Sequence, residues 1–257
     1  DVETPQQNRF SDETSAREAS MPDSQPSAPA AMEYDYTNFY FGAGEDPFAL
    51  MGPFDDWWRE VRPAGYYLYE LPLHSAPSTQ VDVEDTKTHE VRKGLVNFAS
   101  YNYLGLSYRP EVKQAIKDAA DLYGGGASGS PILSGTTDLH RRFADEIAAF
   151  KKKEAALIFP TGYSANVGTI AGLMRSGDLI VADQYAHASV VDGMILSKAN
   201  SRFFRHNNAE DLNRKLADFP GKKLVVVEGV SSMDGDQPPL ADIVEVCRKH
   251  KARLMID

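Results

Sequence analysis

A regular alternation of short apolar segments with helical patterns begins at Asp138 and constrains the fold more than any other feature of this chain. Each apolar segment has the length of one strand, and in the segment that follows it apolar residues recur at helical spacing. Short apolar strands that alternate with helices predict an α/β fold, with a mainly parallel sheet and helices on both faces. The predicted strands are 155–159, 178–182, 201–205, 223–227 and 252–256, and the predicted helices are 138–153, 163–175, 188–198, 209–218 and 240–250.

Polar residues follow most of these predicted strands. In a parallel sheet of this kind, ligands bind beyond the carboxyl ends of the strands, so these residues form the candidate site. They are Thr161, Gly162 and Tyr163, then residues 183–187, His206, residues 228–234 and Asp257.

The turn at residues 159–166 joins a predicted strand to a predicted helix. Pro160 and Gly162 interrupt both patterns and place Thr161, Gly162 and Tyr163 at the tip of the turn. The start of a helix offers unpaired N–H groups and a positive dipole end, and glycine lets an anion approach the backbone. The turn therefore predicts a phosphate cradle, although an ordinary helix N-cap explains this segment alone equally well.

The chain before this region divides by composition. Residues 1–31 are rich in Ser, Pro, Ala and Gln and predict a disordered tail or linker. Residues 32–109 form an N-terminal segment with aromatics crowded between positions 34 and 69 and a β-hairpin at 81–98. Residues 110–257 form the large α/β domain, which opens with a helix at 110–123.

Charge and cysteine content narrow the class of protein. The net charge is −10, without a strong basic patch, which argues against nucleic acid or an anionic membrane as the main partner. No apolar run approaches the roughly 20 residues that a membrane-spanning helix needs. The single cysteine, Cys247, cannot form an internal disulfide, which fits a reducing compartment and hence the cytoplasm. The first residue is Asp1 rather than Met, so we expect the chain to be trimmed at its start.

The strand ends combine four kinds of group. Gly162 offers an anion cradle, His187 an imidazole, Ser232 a hydroxyl and Asp257 a carboxylate. A phosphorylated aromatic cation satisfies all four, because the cradle takes the phosphate, the imidazole stacks on the ring and the carboxylate pairs with a protonated ring nitrogen. These requirements describe pyridoxal 5′-phosphate (PLP), for which no metal is needed.

The same residues lie within a longer set of motifs. The motifs are 159–166, 187–189, 206–208, 228–236 and 254–257, with 102–106 and 135–140 upstream. In order and spacing they resemble the α-oxoamine synthases, which are fold-type-I PLP-dependent transferases related to aspartate aminotransferase. The resemblance covers about residues 96–257.

The resemblance implies a role for each matching residue. It places the cofactor phosphate at Thr161, Gly162 and Tyr163, with the backbone N–H groups of Gly162 and Tyr163 as donors. It implies that His187 is catalytic, lying on the ring face and orienting the substrate carboxylate. Two further cofactor contacts are implied, from Ser232 near the phenolic oxygen and from Asp257 at the ring nitrogen. Asn102 is implied to lie near the carboxylate of the amino-acid substrate, although a turn residue that caps the next helix is an alternative.

The implied reaction is the decarboxylative condensation of glycine, alanine or serine with an acyl thioester to give an α-aminoketone. The acyl donor is acyl-CoA or an acyl carrier protein. The resemblance also implies a homodimer with the active site at the subunit interface.

The chain departs from the family pattern in three places. Many members carry an arginine after the Gly-rich loop, where this chain has Pro131, and the family's His-x-x-Leu-Glu ends in Ala144 here. The family continues beyond Asp257 with Glu-Ala-His and, roughly 30 residues later, with the lysine that forms the Schiff base. We therefore expect this chain to be part of a longer protein whose C-terminal part is missing here.

Two other functions fit the same sequence. The first is another fold-type-I PLP enzyme such as an aminotransferase, which needs no thioester. The second is a non-catalytic partner subunit, because the Schiff-base lysine is not within the chain.

Overall fold

The computed structural model describes residues 46–64 and 70–257. The predicted tail at 1–31 lies outside the described residues, as do 34–45 and 65–69 of the aromatic-rich stretch 34–69. The chain divides into two compact units, Asp1–Gly125 and Gly126–Asp257. The domain boundaries given above stay predictions.

The first unit contains two helices and a hairpin. Its elements are α1 (Met51–Val61), β1 (Gln80–Glu84), β2 (Val91–Val96) and α2 (Pro110–Tyr123). Strands β1 and β2 pair antiparallel, as predicted, with a register shift between Val81 and Val83. Asp85 shapes the turn of the hairpin, because its Oδ1 accepts hydrogen bonds from the N–H groups of Lys87 and Thr88.

The second unit alternates helices with parallel strands. Its elements are α3 (Asp138–Phe150), α4 (Gly162–Leu173), β3 (Leu179–Asp183), α5 (Ala188–Ser197), β4 (Asn200–Phe204), α6 (Ala209–Leu216), β5 (Lys223–Val227), α7 (Leu240–Lys249) and β6 (Arg253–Ile256). The four strands form one sheet in the order β4-β3-β5-β6, and every neighbouring pair is parallel. The predicted fold class is confirmed.

The side chains of β3 alternate between two apolar clusters. Ile180 and Ala182 pack with residues of α4 and α5 on one face of the sheet. Leu179 and Val181 pack with residues of α6 and α7 on the other face. Strand β3 is buried along its whole length, because helices cover both of its faces and β4 and β5 flank it.

The predicted strand at 155–159 is wrong. Within the described residues this segment has no regular secondary structure and no strand partner, and Leu157 is 84% exposed. An apolar run forms a strand only where a neighbour satisfies its backbone groups, and the described sheet ends at β4 and β6.

Several predicted helices end earlier than expected. Helix α3 ends at Phe150 instead of residue 153, and α6 ends at Leu216 instead of residue 218. Lys152 and Asp218 have φ values of 53° and 60°, which lie in the left-handed region and stop a helix. At its other end, α3 begins with a capping box in which the Nδ1 atom of His140 accepts the N–H of Thr137.

Helices α4 and α5 approach each other closely at Gly193. A Cβ atom placed on Gly193 would lie 3.0 Å from the Cβ of Ile170 and 3.3 Å from the Cα of Val167. Gly193 is buried within α5, so only a residue without a side chain allows this packing.

Candidate active site

The start of α4 has the form of an anion cradle. The Oγ1 atom of Thr161 accepts the N–H of Ser164 at 3.0 Å, and the carbonyl of Thr161 accepts the N–H of Ala165 at 3.0 Å. Within the described residues, the N–H groups of Gly162 and Tyr163 have no protein acceptor. A Cβ atom on Gly162 would meet nothing within 4 Å, so the space beside these donors is open. Two N–H groups at the positive end of a helix can hold an anion there.

The side chain of Tyr163 connects α4 to α5. Its hydroxyl donates to Oδ2 of Asp192 at 2.7 Å. This hydrogen bond to Asp192, with burial and the negative charge as smaller causes, raises the pKa of the phenol above its ordinary value. The group that Tyr163 offers to the cradle is therefore its backbone N–H.

His187 is the N-cap of α5. Its Nδ1 accepts the backbone N–H of Ser189 at 3.2 Å and lies 2.7 Å from the Oγ of Ser189. Because the N–H of Ser189 points at Nδ1, this nitrogen acts as an acceptor and the ring hydrogen belongs on Nε2. The cap therefore fixes the orientation of the imidazole and leaves Nε2 for a ligand.

Asp257 follows β6 at the carboxyl end of the sheet. Its backbone N–H donates to the carbonyl of Val227 at 2.9 Å, and its own carbonyl accepts the N–H of Gly229 at 2.8 Å. The Oδ2 of Asp257 accepts a hydrogen bond from Nδ2 of Asn166 at 2.7 Å. The carboxylate is thus held at the same edge of the sheet as the start of α4.

Asn166 and Ser189 join the predicted residues Asp257 and His187. Nδ2 of Asn166 also donates to Oγ of Ser189 at 2.9 Å, which completes a hydrogen-bonded chain from Asp257 through Asn166 and Ser189 to His187. Asn166 is 5% exposed and Ser189 is fully buried. Neither residue was a predicted site residue, although Asn166 closes the turn motif and Ser189 belongs to the 187–189 motif.

Ser232 lies in the loop after β5. Its backbone N–H donates to Oε2 of Glu228 at 2.7 Å, so Glu228 braces this loop. The other oxygen, Oε1 of Glu228, is buried and has no partner among the described residues. Within the described part of the chain, no hydrogen bond connects the hydroxyl of Ser232 to His187 or Asp257. Its contact with a cofactor stays a prediction.

Asn102 lies in the first unit, in a turn before α2. Its Nδ2 donates to the carbonyl of Pro77 at 3.1 Å, and its Oδ1 accepts the N–H of Ser107 at 3.2 Å. Both ends of the side-chain amide of Asn102 therefore bind the local chain. This agrees with the second of its two possible roles, that of a turn residue. Its role toward a substrate stays a prediction.

His206, which follows a predicted strand, forms a second polar cluster. Nδ1 of His206 lies 2.8 Å from Oδ1 of Asp183, and Nε2 lies 3.0 Å from Oδ2 of Asp236. Burial alone would lower the pKa of His206, but the hydrogen bonds and charges of Asp183 and Asp236 outweigh it and raise the pKa above its ordinary value.

Asp234 could join His206 and Asp236 in holding a metal ion, since one ligand atom from each lies within 4.8 Å of the others. Both ring nitrogens of His206 already face carboxylates, however. We therefore interpret the cluster as an imidazolium that ties the ends of β3 and β4 to the loop after β5.

Comparisons with known proteins identify the family of the chain. The model of the family "Aminotransferase class I and II" matches residues 93–257. The 8-amino-7-oxononanoate synthase of Lysinibacillus sphaericus is 45% identical over 167 residues, which are 64% of this chain and 43% of that protein. The serine palmitoyltransferase of Sphingobacterium spiritivorum is 36% identical over 201 residues, which are 77% of this chain and 49% of that protein.

Solved structures of serine palmitoyltransferases share the fold. That of Sphingomonas wittichii has a TM-score of 0.74 and 34% identity, and the match covers 83% of this chain and 53% of that one. That of S. paucimobilis with bound PLP–myriocin aldimine has a TM-score of 0.75 and 32% identity, and the match covers 83% of this chain and 54% of that one. The predicted family and cofactor are confirmed by these comparisons.

The chain spans about half the length of the relatives that it matches. Among the described residues, no helix is both long and apolar enough to cross a membrane. From the matched family model, the relatives and the shared fold, we conclude that the chain belongs to the aminotransferase class I and II family, among the PLP-dependent α-oxoamine synthases.

Proposed function

We propose that the protein carrying this chain is a PLP-dependent acyltransferase that condenses a small α-amino acid with an acyl thioester and releases carbon dioxide. One observation carries the proposal: the hydrogen-bonded chain Asp257–Asn166–Ser189–His187 passes through Asn166 of α4, the helix whose first N–H groups lack acceptors among the described residues. The names of the matched relatives support the same type of reaction.

The residues present fit PLP. The open space at Gly162 and the N–H groups of Gly162 and Tyr163 suit a phosphate. Asp257 uses Oδ2 for Asn166, and its Oδ1 has no partner among the described residues, so this oxygen can accept a pyridinium N–H. His187 is exposed beyond the end of β3 and presents its ring to the same edge of the sheet.

When bound, PLP supplies an electron sink that stabilises negative charge on the Cα atom of the amino acid. Asp257 serves that chemistry by pairing with the proton on the ring nitrogen, because a nearby carboxylate stabilises a cation. His187 offers its Nε2–H as a donor, which suits the carboxylate of an amino acid. These two roles need fixed side chains, and the hydrogen bonds of Asn166 and Ser189 fix them.

The substrates proposed are glycine, alanine or serine together with acyl-CoA or an acyl carrier protein. The matched relatives include two kinds of enzyme by name, 8-amino-7-oxononanoate synthase and serine palmitoyltransferase, so palmitoyl is one of the acyl groups to test. We also propose a homodimer with the active site at the subunit interface. Exposed apolar side chains such as Ile132 and Leu133, 92% and 85% exposed, support contact with a second copy.

We propose a cytoplasmic location as well. Cys247 is a free thiol buried in the core, which agrees with a reducing compartment. Fractionation of the source cells, followed by immunodetection of the protein, tests this proposal directly.

The experiment uses the protein at its natural length. It is incubated with each amino acid and a series of acyl-CoA or acyl carrier protein thioesters, and release of carbon dioxide and free thiol is measured. We expect equal amounts of both products from the correct pair. A 2-oxo acid product without free thiol would favour the aminotransferase instead. A colourless protein without activity would favour a non-catalytic partner subunit.

A further inference from the structure

We propose that Asn166 is a positioning residue for the cofactor, because one side-chain amide orients both the carboxylate of Asp257 and the imidazole of His187. This inference rests on the proposed function and adds a residue to it.

The amide of Asn166 is committed to two acceptors. Its Nδ2 lies 2.7 Å from Oδ2 of Asp257 and 2.9 Å from Oγ of Ser189. A primary amide has two N–H hydrogens, so each acceptor receives one of them. Asn166 is 5% exposed, and water therefore has little access to replace either bond.

Asp257 depends on this amide for its side-chain orientation. Its backbone is fixed by β5, through Val227 and Gly229, but its side chain has a hydrogen bond with only Asn166 among the described residues. The bond occupies Oδ2 and leaves Oδ1 for a ring N–H. Without Asn166 the carboxylate can rotate between several rotamers, and only some of them present an oxygen to the ring.

The second hydrogen of the amide acts on His187 through Ser189. Because Oγ of Ser189 accepts from Asn166, its own hydrogen is free to point at Nδ1 of His187, 2.7 Å away. The backbone N–H of Ser189 points at the same nitrogen. The imidazole therefore keeps its hydrogen on Nε2, which has no hydrogen-bond partner among the described residues and can donate to a ligand.

Asn166 also lies on α4, the helix that starts with the phosphate cradle. The cradle and the amide therefore move as one rigid element. The positions of the phosphate donors and of the ring-nitrogen partner are coupled through this helix.

The test measures PLP binding by the protein at its natural length, with the wild type, Asn166→Ala and Asn166→Asp. Asn166→Asp has nearly the same shape but replaces the donor with an acceptor that faces Asp257. The dissociation constant of PLP is measured by quenching of tryptophan fluorescence. Protonation of the ring nitrogen is measured from the ¹⁵N NMR shift of PLP labelled at that atom.

We expect both variants to bind PLP at least tenfold more weakly and to move the ¹⁵N signal toward that of the unprotonated ring. The matched control is Asn213→Ala. The Oδ1 of Asn213 also takes part in two side-chain hydrogen bonds, with Lys249 and His250, but on the opposite face of the sheet. This control should lose stability without a change in the ¹⁵N signal.

Wild-type affinity and an unchanged ¹⁵N signal in both Asn166 variants would overturn the inference and leave the proposed function intact. A wild-type protein that binds no PLP would instead refute the proposed function, and the inference with it. If Asn166→Ala does not fold, the PLP affinity and ¹⁵N signal of Asn166→Asp alone decide the test, since that variant leaves no cavity.

Discussion

Replacing Gly193 with alanine tests the close packing of α4 on α5. The new Cβ would lie 3.0 Å from Cβ and 3.2 Å from Cδ1 of Ile170, and 3.3 Å from Cα of Val167. Carbon atoms in contact prefer separations of roughly 3.5–4.0 Å. The Cδ1 atom can rotate away, but the other two atoms are fixed to the backbone of α4. The helices must therefore separate by about 0.5 Å.

The expected free-energy change follows from two opposing effects. Overpacking in a core costs about 1–3 kcal/mol. Alanine is favoured over glycine within a helix by roughly 0.5–1 kcal/mol. The two ranges combine to about 0–2.5 kcal/mol, and we expect Gly193→Ala to lower the free energy of unfolding by roughly 1 kcal/mol.

Gly172→Ala is the matched control on α4. A Cβ atom on Gly172 would meet nothing within 4 Å, so this variant gains helix propensity without a clash. We expect it to be as stable as the wild type or up to about 1 kcal/mol more stable. The assay is unfolding in guanidinium chloride, followed by far-UV circular dichroism and by labelling of Cys247. Because Cys247 packs on the opposite face of the sheet from Gly193, its labelling reports opening of the second unit beyond the site of the mutation.

A Gly193→Ala variant as stable as the Gly172→Ala control would refute this reasoning. That result would mean that α4 and α5 adjust without cost, and the close approach would then not restrict the residue at position 193.

Three further predictions concern single side chains. Protonated His206 stabilises the fold, and because its pKa is raised above 6.5, this stabilisation is complete below about pH 6.5 and is lost as pH rises through the raised pKa. His206→Gln should flatten that part of the stability–pH curve in urea unfolding, and an unchanged curve would contradict the prediction. Burial raises the pKa of Cys247 from 9.0 to about 11, so at pH 8 the thiolate should be about 100-fold rarer than in unfolded chain. Labelling of Cys247 with a maleimide should be slower in the native protein by at least that factor, and labelling at the rate of the unfolded chain would disprove this prediction. Thr161→Ala removes the cap of α4 and should cost about 1 kcal/mol in thermal unfolding, whereas Thr161→Ser should cost little; equal losses would show that the hydroxyl is not the cap.

The local pattern of apolar and polar residues in the sequence was enough to predict the parallel sheet and the edge at which the candidate site lies. Strands β3 and β5 are continuous apolar runs, which a sheet covered on both faces requires, and the residues after them face one edge. The segment 155–159 carries a similar run, but a strand also needs a partner, and no local signal reveals whether a partner is present.

The contacts within the site could not be predicted, because they join residues far apart in the chain. Asn166 and Asp257 are separated by 91 positions, and His206 and Asp236 by 30. Sequence motifs identified Asp257 and His187 as chemically competent groups. Only the folded chain shows that a buried amide connects them.

The burial of β3 has a consequence for the motions of the second unit. Like β5, this strand has a hydrogen-bonded neighbour on each side, whereas β4 and β6 each have one among the described residues. Its amide hydrogens should therefore exchange with deuterated solvent only when the whole unit opens, while those of the outer strands exchange through smaller fluctuations. Asp183 ends one of these two inner strands, so the anchor of His206 belongs to the last part of the unit to come apart.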